Sequence, residues 1–191
     1  AFFISFITII GLMVGSFLNV VIYRLPVMMK RSWLQQCAEL RDEPIAELPV
    51  FNLITPRSAC TQCGHKLSAL ENIPVISYLF LRGRCSQCQT RISLCYPLVE
   101  TVTALMSGFV AWHFGFGWLT VATLFFVWAL IALAVIDLNT QLLPDDITLP
   151  LLWAGLLVNM NNGFTDIHSA IIGAVAGYLS LWCIYWCFKL I

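Results

Sequence analysis

From Thr101 to Ile136 the chain runs for 36 residues without one Asp, Glu, Lys or Arg. An uncharged stretch of that length has no face to offer water. A bilayer core about 30 Å thick takes about 20 helical residues, so the stretch is too long for one crossing and suits two. The break falls at His113-Phe-Gly-Phe-Gly117, where two glycines favour a short turn. Composition agrees: 60% of the 191 residues are hydrophobic and 10% charged, against about 45–50% and about 25% in soluble domains. An ordinary cytosolic enzyme is excluded, and so is a disordered chain, which needs low hydrophobicity and high charge.

The remaining apolar runs extend the same pattern. Residues 1–23 carry no charge, and neither do 147–165 or 167–188. Expected helices therefore cover 1–23, about 97–112, about 118–136, 147–165 and 167–188. Pro97 suits a first helical turn, where its missing N–H costs nothing. Asn159, Asn161, Asn162 and Gly163 mark a turn before the last helix. A cleaved signal peptide is the rival reading of 1–23, but no basic segment precedes it. Without a starting Met, Ala1 is not expected to be the natural N-terminus. Gly173-x-x-x-Gly177 offers close helix packing, although glycine is common in membrane helices anyway. The expected fold is an all-α polytopic membrane protein with about five transmembrane helices and a small cytoplasmic zinc-ribbon-like domain. Its parts are a first transmembrane helix over 1–23, a basic domain over 24–95, and helices 2–5 over 96–191.

Charge orients these helices. Nine of the ten basic residues lie between Arg24 and Arg91, against five acids, Glu39, Asp42, Glu43, Glu47 and Glu71. Zero net charge thus conceals a basic island with a surplus of four. Lys and Arg collect on cytoplasmic loops near span ends. That places the island on the cytoplasmic side, and an even number of later crossings puts 137–146 on the same side.

Four of the eight cysteines form Cys60-Thr-Gln-Cys63-Gly-His-Lys and Cys85-Ser-Gln-Cys88-Gln-Thr-Arg. Two such knuckles turn four thiolates toward one point and can close a tetrahedron around Zn²⁺. Two disulfides or a redox pair are the alternative, which a reducing cytoplasmic side disfavours. Four protein ligands leave no open position, so the metal would be structural. His65 is either a substitute ligand or a polar neighbour of the knuckle. Cys183 and Cys187, four apart on one helix face, read as small apolar residues.

Acids near the later helices are few. Asp137 follows Ile131-Ala-Leu-Ala-Val-Ile136 directly and is expected near the interface, partly desolvated, or else as a solvated helix end. Asp145, Asp146 and Glu100 sit in first turns, where a carboxylate caps N–H groups and suits the helix dipole. Asp166 reads as a cap on the last helix.

Taken together, Gly15-Ser-Phe-Leu-Asn-Val-Val-Ile-Tyr-Arg24-Leu-Pro26, the twin C-x-x-C, Tyr96-Pro-Leu-Val-Glu100 and Ile136-Asp137-x-x-x-x-Leu142-Leu-Pro-Asp145 resemble the type IV prepilin peptidases. These are bifunctional leader peptidase/N-methyltransferases of bacterial inner membranes, and the resemblance spans the whole chain. It implies an intramembrane aspartyl protease that removes the basic leader of prepilins and pseudopilins at the cytoplasmic face. It further implies N-methylation of the new terminus with S-adenosylmethionine, and Asp137 as first catalytic aspartate. Implied partners are prepilin and pseudopilin substrates and membrane lipid, with no nucleic acid.

The sequence departs from that family in one respect that matters. No Gly-x-Gly-Asp loop, which would carry the second aspartate, occurs in the 191 residues. The second aspartate is expected beyond Ile191. An aspartyl protease needs two carboxylates sharing a proton, so the chain as given is expected not to cleave a prepilin. Should it cleave, Asp145, Asp146 or Glu100 would have to supply the partner. No Rossmann-type glycine fingerprint marks an S-adenosylmethionine site, which leaves the basic island as the candidate region. Cys95 stands where relatives often carry a basic residue. Rival readings are a non-enzymatic zinc-ribbon membrane scaffold and a proton-coupled transporter fragment with Asp137 as the proton carrier.

Overall fold

The structure is a computed structural model that describes every residue except 45–48, 61, 69, 162 and 191. Glu47 of the charge tally, Asn162 of the turn signal and Ile191 therefore lie outside the described residues. The described chain is helical, with helix α1 at Phe2–Leu40, α2 at Ile76–Phe80, α3 at Cys95–Phe114, α4 at Trp118–Thr140, α5 at Asp145–Met160 and α6 at Ile167–Leu190. No strand forms among the described residues, only two isolated antiparallel bridges, Ala59 with Lys66 and Arg84 with Arg91.

The expected turns fall where the sequence puts them. Helix α3 stops at Phe114 on Gly115, whose φ of 67° is glycine's territory. The last turn precedes α6, where Asp166 accepts the Ser169 N–H at 2.9 Å and acts as the expected cap. At α5 the expectation fails in detail. Pro144 occupies the capping position, and Asp145 and Asp146 stand within the first turn without a capping bond.

Helices α1, α4 and α6 are long and apolar enough to cross a membrane. By that measure three spans qualify among the described residues, beside the five expected. Helix α5 has only 16 residues, about 24 Å at 1.5 Å each, and opens on two aspartates. Helix α3 is long enough at 20 residues, but Glu100, Thr101, Thr103, Ser107 and His113 dilute its apolar content.

The chain divides into two compact units, Ala1–Leu143 and Pro144–Ile191. In the first, α1 packs along α3 and α4. Its buried positions Ile7, Gly11, Gly15, Leu18, Ile22 and Pro26 recur every three or four residues, one stripe of a helix. Glycine makes the approach close. A Cβ on Gly15 would stand 2.7 Å from the Glu100 Cα, and one on Gly11 would stand 2.9 Å from the Ala104 Cα. Small residues at four-residue spacing are the usual device for drawing membrane helices together. Gly173 and Gly177, the pair singled out from sequence, have no atom within 4 Å of an added Cβ. Leu18, Ile22, Val99, Ala132 and Ile136 form the core beneath this contact. Trp128 of α4 donates its indole N–H to the Ser107 hydroxyl at 2.9 Å, which satisfies a polar group that burial would otherwise penalise.

Helix α1 does not stop at residue 23. It continues through Arg24 and Pro26 to Leu40, 39 residues in all. Pro26 removes one ladder bond, but the residues beyond it, among them Met28, Met29, Lys30, Leu34, Gln35 and Gln36, are good helix formers.

Candidate functional site

Two nearly identical turns build the cysteine centre. In the first, the Cys60 N–H donates to the His65 carbonyl at 2.8 Å and the Gly64 N–H returns to the Cys60 carbonyl at 3.0 Å. The second repeats this, with Cys85 N–H to Thr90 carbonyl at 2.9 Å and Gln89 N–H to Cys85 carbonyl at 3.1 Å. Each turn needs a left-handed residue one place after its second cysteine. Gly64 takes φ 71° and Gln89 takes φ 57°. Glycine adopts that region freely, whereas a glutamine there is uncommon.

These turns bring Cys60, Cys63, Cys85 and Cys88 together, every Sγ within 4.8 Å of the others. Cys60 and Cys88 Sγ are 3.7 Å apart, and Cys63 and Cys85 Sγ 3.9 Å. Zn–S bonds of about 2.3 Å in a tetrahedron require S···S edges of about 3.8 Å, so the four thiols fit such an ion. They do not form the alternative disulfides. All are free, at separations well beyond the S–S bond length of about 2.05 Å. The Thr90 hydroxyl lies 3.2 Å from Cys88 Sγ, and its hydrogen bonds hold that thiol down to about 6, whereas Cys63 in the same cluster is pushed up to about 11.

His65 is not in the group. Its Nε2 lies 3.4 Å from Glu71 Oε2, the polar-neighbour reading. Glu71 is the residue that sequence reasoning missed here. Its carboxylate accepts from the Ser86 hydroxyl in the second knuckle and from the Ser68 N–H, and it meets His65 beside the first knuckle. Those hydrogen bonds, the Ser86 hydroxyl foremost, hold it down to about 2. It ties the two turns together, although nothing in its sequence position signals this.

Above α1 and the start of α3, the cysteine lobe leaves a cavity of about 600 Å³. Its lining includes Asn19 and Tyr23 of α1, Tyr96 and Glu100 of α3, and Arg57 and Arg91 of the lobe. The polar residues of the Gly15–Pro26 motif hold this arrangement. Asn19 donates its side-chain amide to the Tyr96 carbonyl at 3.0 Å. Arg24, 6% exposed, spends both terminal nitrogens on lobe carbonyls, Asn52 at 2.8 Å and Pro56 at 2.6 Å. Arg24 and Arg31 flank the Phe51 ring. Glu100 is buried and accepts the Val75 N–H at 2.7 Å, a far more specific position than the helix-dipole role read from its first-turn location.

Asp137 lies in the last turn of α4, exposed, immediately after the fully buried Ile136. Its carbonyl accepts the Gln141 N–H at 2.8 Å where the helix ends. Asp145, in the second unit, is exposed with the Thr148 hydroxyl 3.5 Å away. Cys95 is partly buried and packs against the α1 and α3 core. Cys183 and Cys187 are exposed on α6, facing outward rather than into a core.

Comparison with known proteins adds identity to this geometry. Residues 9–114 match the family model for the Bacterial Peptidase A24 N-terminal domain, and residues 124–190 match the Type IV leader peptidase family. The chain is 51% identical over 184 residues to the prepilin leader peptidase/N-methyltransferase of Pseudomonas aeruginosa, covering 96% of this chain and 63% of that protein. The corresponding protein of Stutzerimonas stutzeri is 51% identical over 184 residues, covering 96% and 64%. That of Neisseria gonorrhoeae is 48% identical over 192 residues, covering 100% and 67%. The chain spans less than two thirds of the length of most of these curated relatives. No solved structure matches.

Proposed function

The chain belongs to the type IV leader peptidase family of bacterial A24 peptidases, and on that premise we propose that it serves to remove the basic leader of prepilins or pseudopilins and to N-methylate the new terminus. The observation that carries this reading is about 50% identity to enzymes named for both activities, over nearly the whole chain. The scaffold and transporter readings receive no such support.

In this proposal Asp137 is one of two catalytic carboxylates. One member of such a pair takes a proton from the attacking water and the other protonates the departing group. An exposed carboxylate at the end of an apolar helix suits a substrate whose cleavage site sits between a polar leader and an apolar helix. Asp145 and Glu100 have supporting roles at most. The fixed hydrogen bond from Val75 to Glu100 favours positioning over proton transfer. The four cysteines hold a structural Zn²⁺ that stiffens a lobe with few buried apolar residues of its own. S-adenosylmethionine supplies the methyl group when bound. The setting is the bacterial inner membrane, with the basic lobe and Asp137 facing the cytoplasm, where Lys and Arg collect. Residues 1–23 then form the first membrane segment, 24–95 the basic cysteine domain and 96–191 the peptidase part.

The test is Asp137→Asn in the full-length enzyme, assayed for leader removal from a prepilin and for methylation of an already cleaved substrate. Cleavage should fall by about 10²–10⁴-fold or more, while methylation persists. Undiminished cleavage removes Asp137 from the mechanism.

A further inference from the structure

A methyltransferase needs a place for its methyl donor, and no glycine-rich fingerprint supplies one. We propose that the 600 Å³ cavity between the cysteine lobe, α1 and α3 binds S-adenosylmethionine, an inference that rests on the methyltransferase reading above. Small-molecule sites measure about 300–1,000 Å³ and combine apolar or aromatic walls with a few convergent polar groups. A second cavity, about 280 Å³ beside Arg82 and Arg84, is smaller and is lined by Leu81, Arg82, Arg84 and Gln89, with no aromatic wall.

The walls match the donor's three chemical parts. Its adenine is a flat ring, and Tyr23, Tyr78 and Tyr96 line the cavity with aromatic surface. Its sulfonium and ammonium are cationic, and Glu100 contributes a carboxylate that is 8% exposed, where reduced solvent screening strengthens attraction to a cation. Its carboxylate is anionic. Arg57 and Arg91 are exposed, and neither side chain has a hydrogen-bond or ion-pair partner among the described residues. A guanidinium fork takes a carboxylate in two parallel bonds. Arg24, by contrast, is already consumed by the Asn52 and Pro56 carbonyls and is not available. Asn19 and Glu100 line the cavity from α1 and α3, each held by a hydrogen bond to backbone, Asn19 to the Tyr96 carbonyl and Glu100 from the Val75 N–H.

The experiment is equilibrium binding of radiolabelled S-adenosylmethionine to the full-length enzyme in detergent micelles, for wild type, R57A/R91A and the cavity-filling Val20→Trp. Helical circular dichroism verifies that each variant is folded. R57A/R91A should raise Kd about tenfold or more for S-adenosylmethionine but leave the decarboxylated analogue unaffected, because the arginines act on the carboxylate. Val20→Trp should abolish binding of both. Wild-type affinity in both variants overturns the site and leaves the methyltransferase reading standing. Absence of binding by the wild type overturns that reading and the site with it.

Discussion

Gly64 and Gln89 hold the same place in the two cysteine knuckles, and only one of them is suited to it. A left-handed residue with a Cβ costs about 1–2 kcal/mol relative to one without. Nothing lies within 4 Å of an added Cβ at Gly64, so Gly64→Ala tests that backbone cost alone. Zinc affinity, read by competition with a chromophoric chelator, should weaken about tenfold, since binding and folding of such a lobe are one equilibrium. Gln89→Gly should strengthen it by a comparable or smaller factor. The cysteine centre was legible because C-x-x-C spacing is itself the geometry. Gln89 was not, because glutamine carries no sign of a left-handed turn. Glu71 was not either, because its partners Ser86 and His65 are brought to it by the fold.

Helix positions could be read from charge-free runs and from the glycines at 115 and 117, but helix contacts could not. A glycine pair looks the same whether it faces a neighbour or open space. Gly11 and Gly15 face α3, whereas Gly173 and Gly177 face nothing within 4 Å. Gly15→Leu must therefore displace α3 backbone, costing about 1–3 kcal/mol or more. Thermal unfolding in micelles should show a lowered Tm. The matched substitution Gly173→Leu should change stability by no more than about 0.5 kcal/mol. Equal losses at both sites would contradict the packing described. The end of α1 was misplaced for a related reason. Arg24 and Pro26 mark where a membrane run stops, which differs from where a helix stops.

The whole chain was assigned to its family from motif order, because each motif lies in a different element and their succession is improbable by chance. Its division at Leu143 was less visible, since charge changes at residues 24 and 95 while packing follows α1, α3 and α4. All four cysteines and every cavity residue fall within Ala1–Leu143. A chain ending at Leu143 should accordingly bind one zinc ion, measurable by native mass spectrometry, and a stoichiometry of zero would show that the unit needs α5 and α6 to fold. Helix α1 has a consequence at this scale too. Its 39 residues measure about 58 Å, nearly twice a hydrocarbon core of about 30 Å. The half beyond the bilayer is a stiff mast, and Arg24 and Arg31 lash the lobe to it. The height of the lobe above the lipid is then set like a ruler's mark, so a thicker bilayer has to tilt the mast instead of stretching a tether.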